Sequence, residues 1–369
     1  MKTPDPYHDP RAVHAWAERI EAAGERLGRT VTLMEVCGSH THAIAAAGLR
    51  RRLPESVRLI SGPGCPVCVT PIEYMDRAVA LARRDDVIVC TYGDLMRVPS
   101  SSSNLERESA TGGDVHVVYS SRDALALARR NPDKQVVFLG VGFETTLPTV
   151  AAALEEAECE GLMNFLVLPG AKLIEPPLRA LIADGDVRVD GFLLPGHVSV
   201  ILGSDFYDFL RDEVGVPGVI AGFTPIDILR GVLELLEVLA GDQPSTNNLY
   251  ARVVTTDGNR IARELMQRYF TPEDTRWRGL GEIPASGLAL RPEFAHRDAT
   301  RLEVRLDPPQ EPRGCRCGDI LRGAIEPPEC LLYDGACTPE SPVGACMVSS
   351  EGTCAAWYRH ERAATGAAR

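Results

Sequence analysis

Residues 57–84 read VRLISGPGCPVCVTPIEYMDRAVALARR. The run divides into three parts. VRLI (57–60) is short, apolar and partly β-branched, as a buried strand is. SGPGCPVC (Ser61–Cys68) is a loop in which Gly62 and Gly64 let the backbone turn tightly. PIEYMDRAVALARR (71–84) is helical, with Pro71 as its first residue and Thr70 as its N-cap. Strand, loop and helix in that order belong to a βαβ unit. The loop also carries two cysteines, Cys65 and Cys68, two residues apart.

The same order recurs along the chain. Apolar runs occur at VTLMEV (31–36), VRLI (57–60), VIVC (87–90), VHVVY (115–119), QVVFLG (135–140), NFLVL (164–168), GFLL (191–194) and GVIAGF (218–223). Helical stretches separate most of them, and residues 10–27 form a further amphipathic helix. This alternation predicts an α/β protein with parallel sheets. Eight such units also fit a TIM barrel. Against the barrel, VPSSSSNLERESATGGD (98–114) interrupts the rhythm and offers no helix of normal quality. The expected fold is therefore two doubly wound parallel-sheet domains facing a cleft, 30–125 and 126–240. A third, cysteine-rich region comprises 1–29 and 241–369, with GDQPSTNN (241–248) as linker and a helix near 246–268.

Composition narrows the function classes. The chain has 369 residues, 44% hydrophobic and 24% charged, with a net charge of -12. It carries enough apolar material for packed cores. Its acidity argues against a general nucleic-acid binder. The basic runs Arg50-Arg51-Arg52, Arg83-Arg84 and Arg129-Arg130 read as solvated helix ends. No segment has the roughly 18 apolar residues of a membrane span. The first twenty residues show no apolar signal-peptide core, so a cytoplasmic location is expected. There, eleven cysteines point to metal, cluster or redox chemistry and not to a disulfide framework.

The polar loops follow the strands directly: CGSHTH, SGPGCPVC, TYGD, GFETT, PGHVS and GFTP. In open parallel sheets ligands bind at the carboxyl ends of strands, so these loops should converge. Cys37 ends the first strand and opens a helix, where the positive helix end lowers a thiol pKa. His40 and His42 lie just behind it. A thiolate beside imidazole makes a nucleophile or a soft-metal ligand pair. Packing alone, with His40 capping the helix, is the bland alternative. Cys65 and Cys68 lie just before a helix, the layout of reactive dithiols. Zinc ligation completed by Cys37 and His40, or an inert pair, stays open. Glu144 in GFETT is either a proton carrier or a cap. His197 in PGHVS is either structural or part of the same face. GVGFET lacks the third glycine of a dinucleotide fingerprint. Cys90 and Cys159 read as plain residues.

The tail reads CRCGDILRGAIEPPECLLYDGACTPESPVGACMVSSEGTC (315–354) and holds six cysteines. It is rich in Gly and Pro, so thiolate ligation is a natural source of its order. Cys315, Cys330, Cys337 and Cys354 are separated by 14, 6 and 16 residues. That spacing suits an iron–sulfur cluster, zinc, or a redox or structural thiol set. Cys317 and Cys346 are surplus to one four-ligand site.

CGSHTH, SGPGCPVC, GFETT and PGHVS, with CTPE, PVGACMVS and EGTC in the tail, resemble the HypD family of [NiFe]-hydrogenase maturation proteins. The resemblance runs from about residue 10 to 360. It implies two α/β domains and a third part holding a [4Fe–4S] cluster on Cys315, Cys330, Cys337 and Cys354. It implies that Cys317 and Cys346 are a thiol pair near that cluster. Cys37, with His40 beside it in the motif, is implied to bind the iron of an Fe(CN)2CO group jointly with a small HypC-like chaperone. A HypE-like donor would deliver cyanide, and a hydrogenase large subunit would be served indirectly. Two stretches depart from the pattern: Ser39 stands where Thr is expected, and GAKLIEPP replaces an Asn-His-Lys-like run, leaving only Lys172. The expected function is a redox-active assembly scaffold in which Cys65 and Cys68 relay between cluster and cleft. A stand-alone thiol–disulfide oxidoreductase and a zinc-stabilised interaction scaffold are the alternatives.

Overall fold

A computed structural model describes residues 9–185, 187–241 and 243–362. Residues 1–8 and 363–369 of the expected third region, and the start of the N-terminal stretch read for a signal peptide, lie outside the described residues. Two open, all-parallel sheets form the α/β body. The first has the order β2-β1-β7-β8-β9, from β1 (Val31–Glu35), β2 (Val57–Ser61), β7 (Gly191–Pro195), β8 (Gly218–Ala221) and β9 (Thr246–Asn248). The second has the order β4-β3-β5-β6, from β3 (Val87–Thr91), β4 (Val115–Val117), β5 (Gln135–Gly142) and β6 (Phe165–Ala171). Strands β3, β7 and β8 are buried along their whole length. Parallel sheets are covered on both faces, which is why these strands read as unbroken apolar runs.

Strand pairing divides the chain differently from the two continuous halves expected. Strands β1 and β2 pair into the sheet of β7 and β8, with Leu33 opposite Gly191 and Phe192 opposite Gly218. The stretch from β3 to β6 forms the other sheet, so a boundary at 125/126 would separate β4 from β5 within one sheet. The first sheet is thus built from two distant chain segments. Residues 246–248 of the expected linker are its edge strand, and the expected helix near 246–268 is Arg260–Tyr269. The open sheets remove the barrel alternative. The 98–114 stretch contains one short helix, Leu105–Ala110, capped by Asn104.

Helix α1 (Pro10–Leu27) begins with Asp9 as N-cap and Pro10 in the first turn, and ends at Gly28 with φ 63°. It buries Val13, Ile20 and Ala23 against the helix Pro225–Leu239, in the core of the first sheet. The N-terminal helix therefore packs with that sheet, not with the tail. A hairpin, β10 (Phe270–Trp277) and β11 (Gly281–Leu290), packs against β6. The tail after residue 300 consists of short turns and helices whose cysteines share a core with both sheets. Arginines of the basic runs face carboxylates: Arg83 on Glu108, Arg84 on Asp86, and Arg129 on Glu156 and Glu160. Arg50 is largely buried against Glu361, so it is not a solvated helix end. Among the described residues no helix is long and apolar enough to cross a membrane.

Candidate functional site

The strand order β2-β1-β7-β8 places four carboxyl-end loops side by side: SGPGCPVC, CGSHTH, PGHVS and GFTP. Cys37 is the N-cap of α2 (Gly38–Ala46) and is buried. The nearby backbone amides of His40 and Ser39 favour the thiolate, yet burial outweighs them and pushes the thiol up to about 12. This reverses the low pKa expected from the helix start. Beneath it, Glu35 is fully buried and its Oε2 accepts from the Cys37 amide at 3.2 Å. Thr41 Oγ1 donates to Glu35 Oε1 at 2.5 Å. Burial raises this carboxyl to about 7 despite Ser61, Thr41 and Arg50.

His40 is fully buried and its Nε2 donates to the Gly222 carbonyl at 2.9 Å. Nδ1 is left buried with no hydrogen-bond partner. Burial lowers the ring to about 4, so it is a neutral imidazole with a free lone pair. It packs on one side of the Phe223 ring at 4.7 Å, while His197, from PGHVS, stacks on Phe223 at 4.0 Å. Glu351 completes the group from the tail. It accepts from Ser39 Oγ at 2.6 Å, and its charge acts on both Cys37 and His197. A Cβ at Gly38 would strike Glu351 Cβ at 2.6 Å, so only glycine admits the tail here. His42 Nδ1 lies 3.3 Å from the Ser350 carbonyl on the same contact.

Cys65 and Cys68 are joined as a disulfide with Cα atoms 5.3 Å apart. Cys65 caps α3 (Pro66–Val69), a single turn, and Thr70 closes that turn instead of capping the next helix. The preceding Gly64 lies against the Cys37 turn: the Gly38 amide donates to the Gly64 carbonyl at 3.1 Å. On its other side α3 packs on Ala345–Met347, the turn that carries Cys346, and also touches β5. The dithiol loop is thus wedged between Cys37 and the tail.

In the tail, Cys315, Cys330, Cys337 and Cys354, with Cys317, line one small cavity. The sulfurs of Cys315 and Cys317 are 3.2 Å apart, and the Cys346 thiol contacts those of Cys317 and Cys354. The five thiols that line this cavity, with no carboxylate among them, include the four soft donors that fit an iron–sulfur cluster.

Glu144 stands apart from this group. Its Oε1 accepts from the Ile174 amide at 2.9 Å, Oε2 has no partner, and burial raises it to about 7. It caps the neighbouring strand-end loop instead of its own helix and borders an apolar cavity with Leu202, Phe206 and Phe270. Lys172 is buried, its Nζ donating to Thr275 Oγ1 and the Arg276 carbonyl, and burial lowers it to about 8. Glu35 and Glu351 were absent from the sequence-derived residues. The available signals were a carboxylate inside the apolar run VTLMEV and another in EGTC.

The HypD family model, described as the hydrogenase formation hypA family, matches residues 11–361. The chain belongs to the HypD family. Among curated relatives, a hydrogenase maturation factor HypD of Rhizobium leguminosarum bv. viciae is 43% identical, covering 98% of this chain and 96% of the relative. The HypD of Escherichia coli K12 is 42% identical over 98% and 99%, and that of Azotobacter vinelandii 45% over 98% and 97%. With near-complete coverage in both directions, family membership extends over both sheets and the tail. This HypD-family chain is a hydrogenase maturation factor.

Proposed function

We propose that this HypD-family chain is the scaffold on which the Fe(CN)2CO fragment of a [NiFe] site is assembled, jointly with a HypC-like partner and supplied with cyanide by a HypE-like donor. Cys37 holds the iron of this cargo, and His40, in the same first turn of α2, offers its free Nδ1 lone pair as acceptor or ligand. Cys315, Cys330, Cys337 and Cys354 would hold a [4Fe–4S] cluster, which supplies single reducing electrons when bound. Cys317 and Cys346 form the neighbouring thiol pair, and the Cys65–Cys68 disulfide lies between that pair and Cys37. Exchange between the two pairs is balanced: two thiols become one disulfide as the other disulfide becomes two thiols.

The observation that carries this reading is the position of the dithiol loop. It touches the Cys37 turn through Gly64 and the Cys346 turn through α3. Such contiguity suits a relay. The test is co-purification of the chain with a HypC-like partner, read by infrared absorption of bound cyanide and carbon monoxide. Wild type should carry these bands. Cys37→Ala should lose them while keeping its iron–sulfur absorption. Cys317→Ala and Cys346→Ala should likewise keep that absorption and lose hydrogenase activity in the host. Bands persisting in Cys37→Ala would refute the scaffold. Efficient reduction of a generic disulfide substrate without any partner would favour the stand-alone oxidoreductase.

A further inference from the structure

A second cavity, of about 350 Å³, shares Cys315, Cys317 and Gly344 with the thiol-lined one. Its walls include the sulfur-bearing residues Cys315 and Cys317, the ring of Trp277 and the bare backbone of Gly344. Its floor holds Arg278, whose side chain is only 4% exposed. One guanidinium nitrogen donates to the Pro99 carbonyl at 3.2 Å, but Nε and Nη1 are buried with no hydrogen-bond partner. The nearest carboxylate, Glu311, stands 3.8 Å from Nε, too far for a hydrogen bond. Glu311 is itself 55% exposed, on a segment (303–312) without regular structure. A buried, under-satisfied guanidinium is costly unless an anion completes it. Its planar fork matches a carboxylate.

We propose that this cavity admits a low-molecular-weight thiol bearing a carboxylate, which displaces Glu311 from Arg278 and brings its sulfur to Cys317. A guanidinium on the floor and thiols on the wall select those two groups in one ligand. The volume is that of a small-molecule site. The site serves the thiol pair of the proposed function and rests on that reading. The ligand thiolate attacks the Cys317 sulfur of an oxidised Cys317–Cys346 pair. A mixed disulfide forms, the Cys317–Cys346 bond breaks, and Cys346 leaves as thiolate. A second ligand thiolate attacks the mixed disulfide and releases Cys317. Two ligand thiols become one disulfide, two electrons reach the pair, and the two thiol protons end on Cys317 and Cys346.

The test runs the exchange from the reduced side on the full chain purified without oxygen. The probes are the dianionic disulfide 5,5′-dithiobis(2-nitrobenzoate) and the neutral 4,4′-dithiodipyridine, read by the thiolate each releases and by the Cys317–Cys346 disulfide located by peptide mass spectrometry. The expected preference for the anionic probe falls about tenfold in Arg278→Gln, the loss of a charge-assisted hydrogen bond. It should rise in Glu311→Ala, which removes the competing carboxylate, and weaken in high salt. The neutral probe should react equally with all three proteins. An unchanged preference in Arg278→Gln, even with altered iron–sulfur absorption, would make the guanidinium a counter-charge to the thiolates and overturn the site. If Arg278→Gln also slows the neutral probe, its fold is damaged and Glu311→Ala decides: no rise there refutes the proposal. These rates do not depend on maturation activity, so failure of the scaffold reading is separately visible.

Discussion

Gly64→Ala is the sharpest test of the contact between the dithiol loop and Cys37. A Cβ on Gly64 would fall inside the backbone of Val36 and Cys37, atoms that cannot rotate away. The loop must therefore retreat and give up the hydrogen bond from the Gly38 amide. Losing that bond costs about 1 kcal/mol, and forcing a methyl into a packed site costs about 1–3 kcal/mol more. The stiffer unfolded chain returns roughly 0.4–1 kcal/mol. The net expectation is a loss of about 1–4 kcal/mol in urea unfolding, with faster alkylation of Cys37 as the loop withdraws. Gly93→Ala is the control, because the nearest atom to its Cβ would be Val117 Cγ1 at 3.7 Å, an ordinary contact. Gly64→Ala unfolding within about 0.5 kcal/mol of that control, the usual scatter of surface substitutions, would refute the reasoning.

Three further outcomes follow from the same structure. Burial raises Glu144 from 4.5 to about 7, so the folded chain binds this proton more tightly than the unfolded one. Its stabilisation is complete below the unfolded value and is lost as pH rises through about 7. Glu144→Gln should therefore flatten the fall in urea midpoint between about pH 4.5 and 7, by at most about 3 kcal/mol. Burial opposes ionisation of Asp227, but the two hydrogen bonds from Arg252 and that of Thr224 outweigh it and hold the carboxyl below its usual range. Asp227→Asn should cost about 1–3 kcal/mol at neutral pH, less than a fully buried pair because Arg252 is 41% exposed. That cost should shrink as pH falls through the carboxylate range. Cys159 is exposed and distant from the thiol-lined cavity, so Cys159→Ser should leave iron content and unfolding midpoint unchanged.

The strands were legible because buried parallel strands are continuous apolar runs, and the loops because chemistry-bearing residues punctuate them. Which sheet each strand joins was not legible. VTLMEV and VIVC read alike, yet β1 pairs with β7 across more than 150 residues while β3 pairs with β4 and β5. Local pattern carries no term for such a partner. Hairpin β10–β11 escaped because FTPEDTRW is half exposed and mostly polar, and its pairing is visible only in register. His40 and His197 could be placed on one face from their loops alone. Their shared ring, Phe223, required β8 to lie beside β7. Glu351 was hidden for the same reason: the tail reaches α2 only in three dimensions.

The Cys37 thiol shows where a local rule yields to its surroundings. A helix N-terminus stabilises an adjacent negative charge by about 0.3–1 kcal/mol. Burial pushes the thiol from 9.0 up to about 12. The dipole cannot offset that, and the nearby carboxylates Glu351 and Glu35 push in the same direction as burial. An unliganded Cys37 is therefore a neutral, shielded thiol and a poor nucleophile. A soft metal changes the balance, because its own charge deprotonates a coordinating thiol outright. In the proposed scaffold role, the burial that keeps Cys37 neutral and shielded is compatible with uptake of a cationic cargo. A nucleophilic role would require the opposite environment, an exposed and electropositive one.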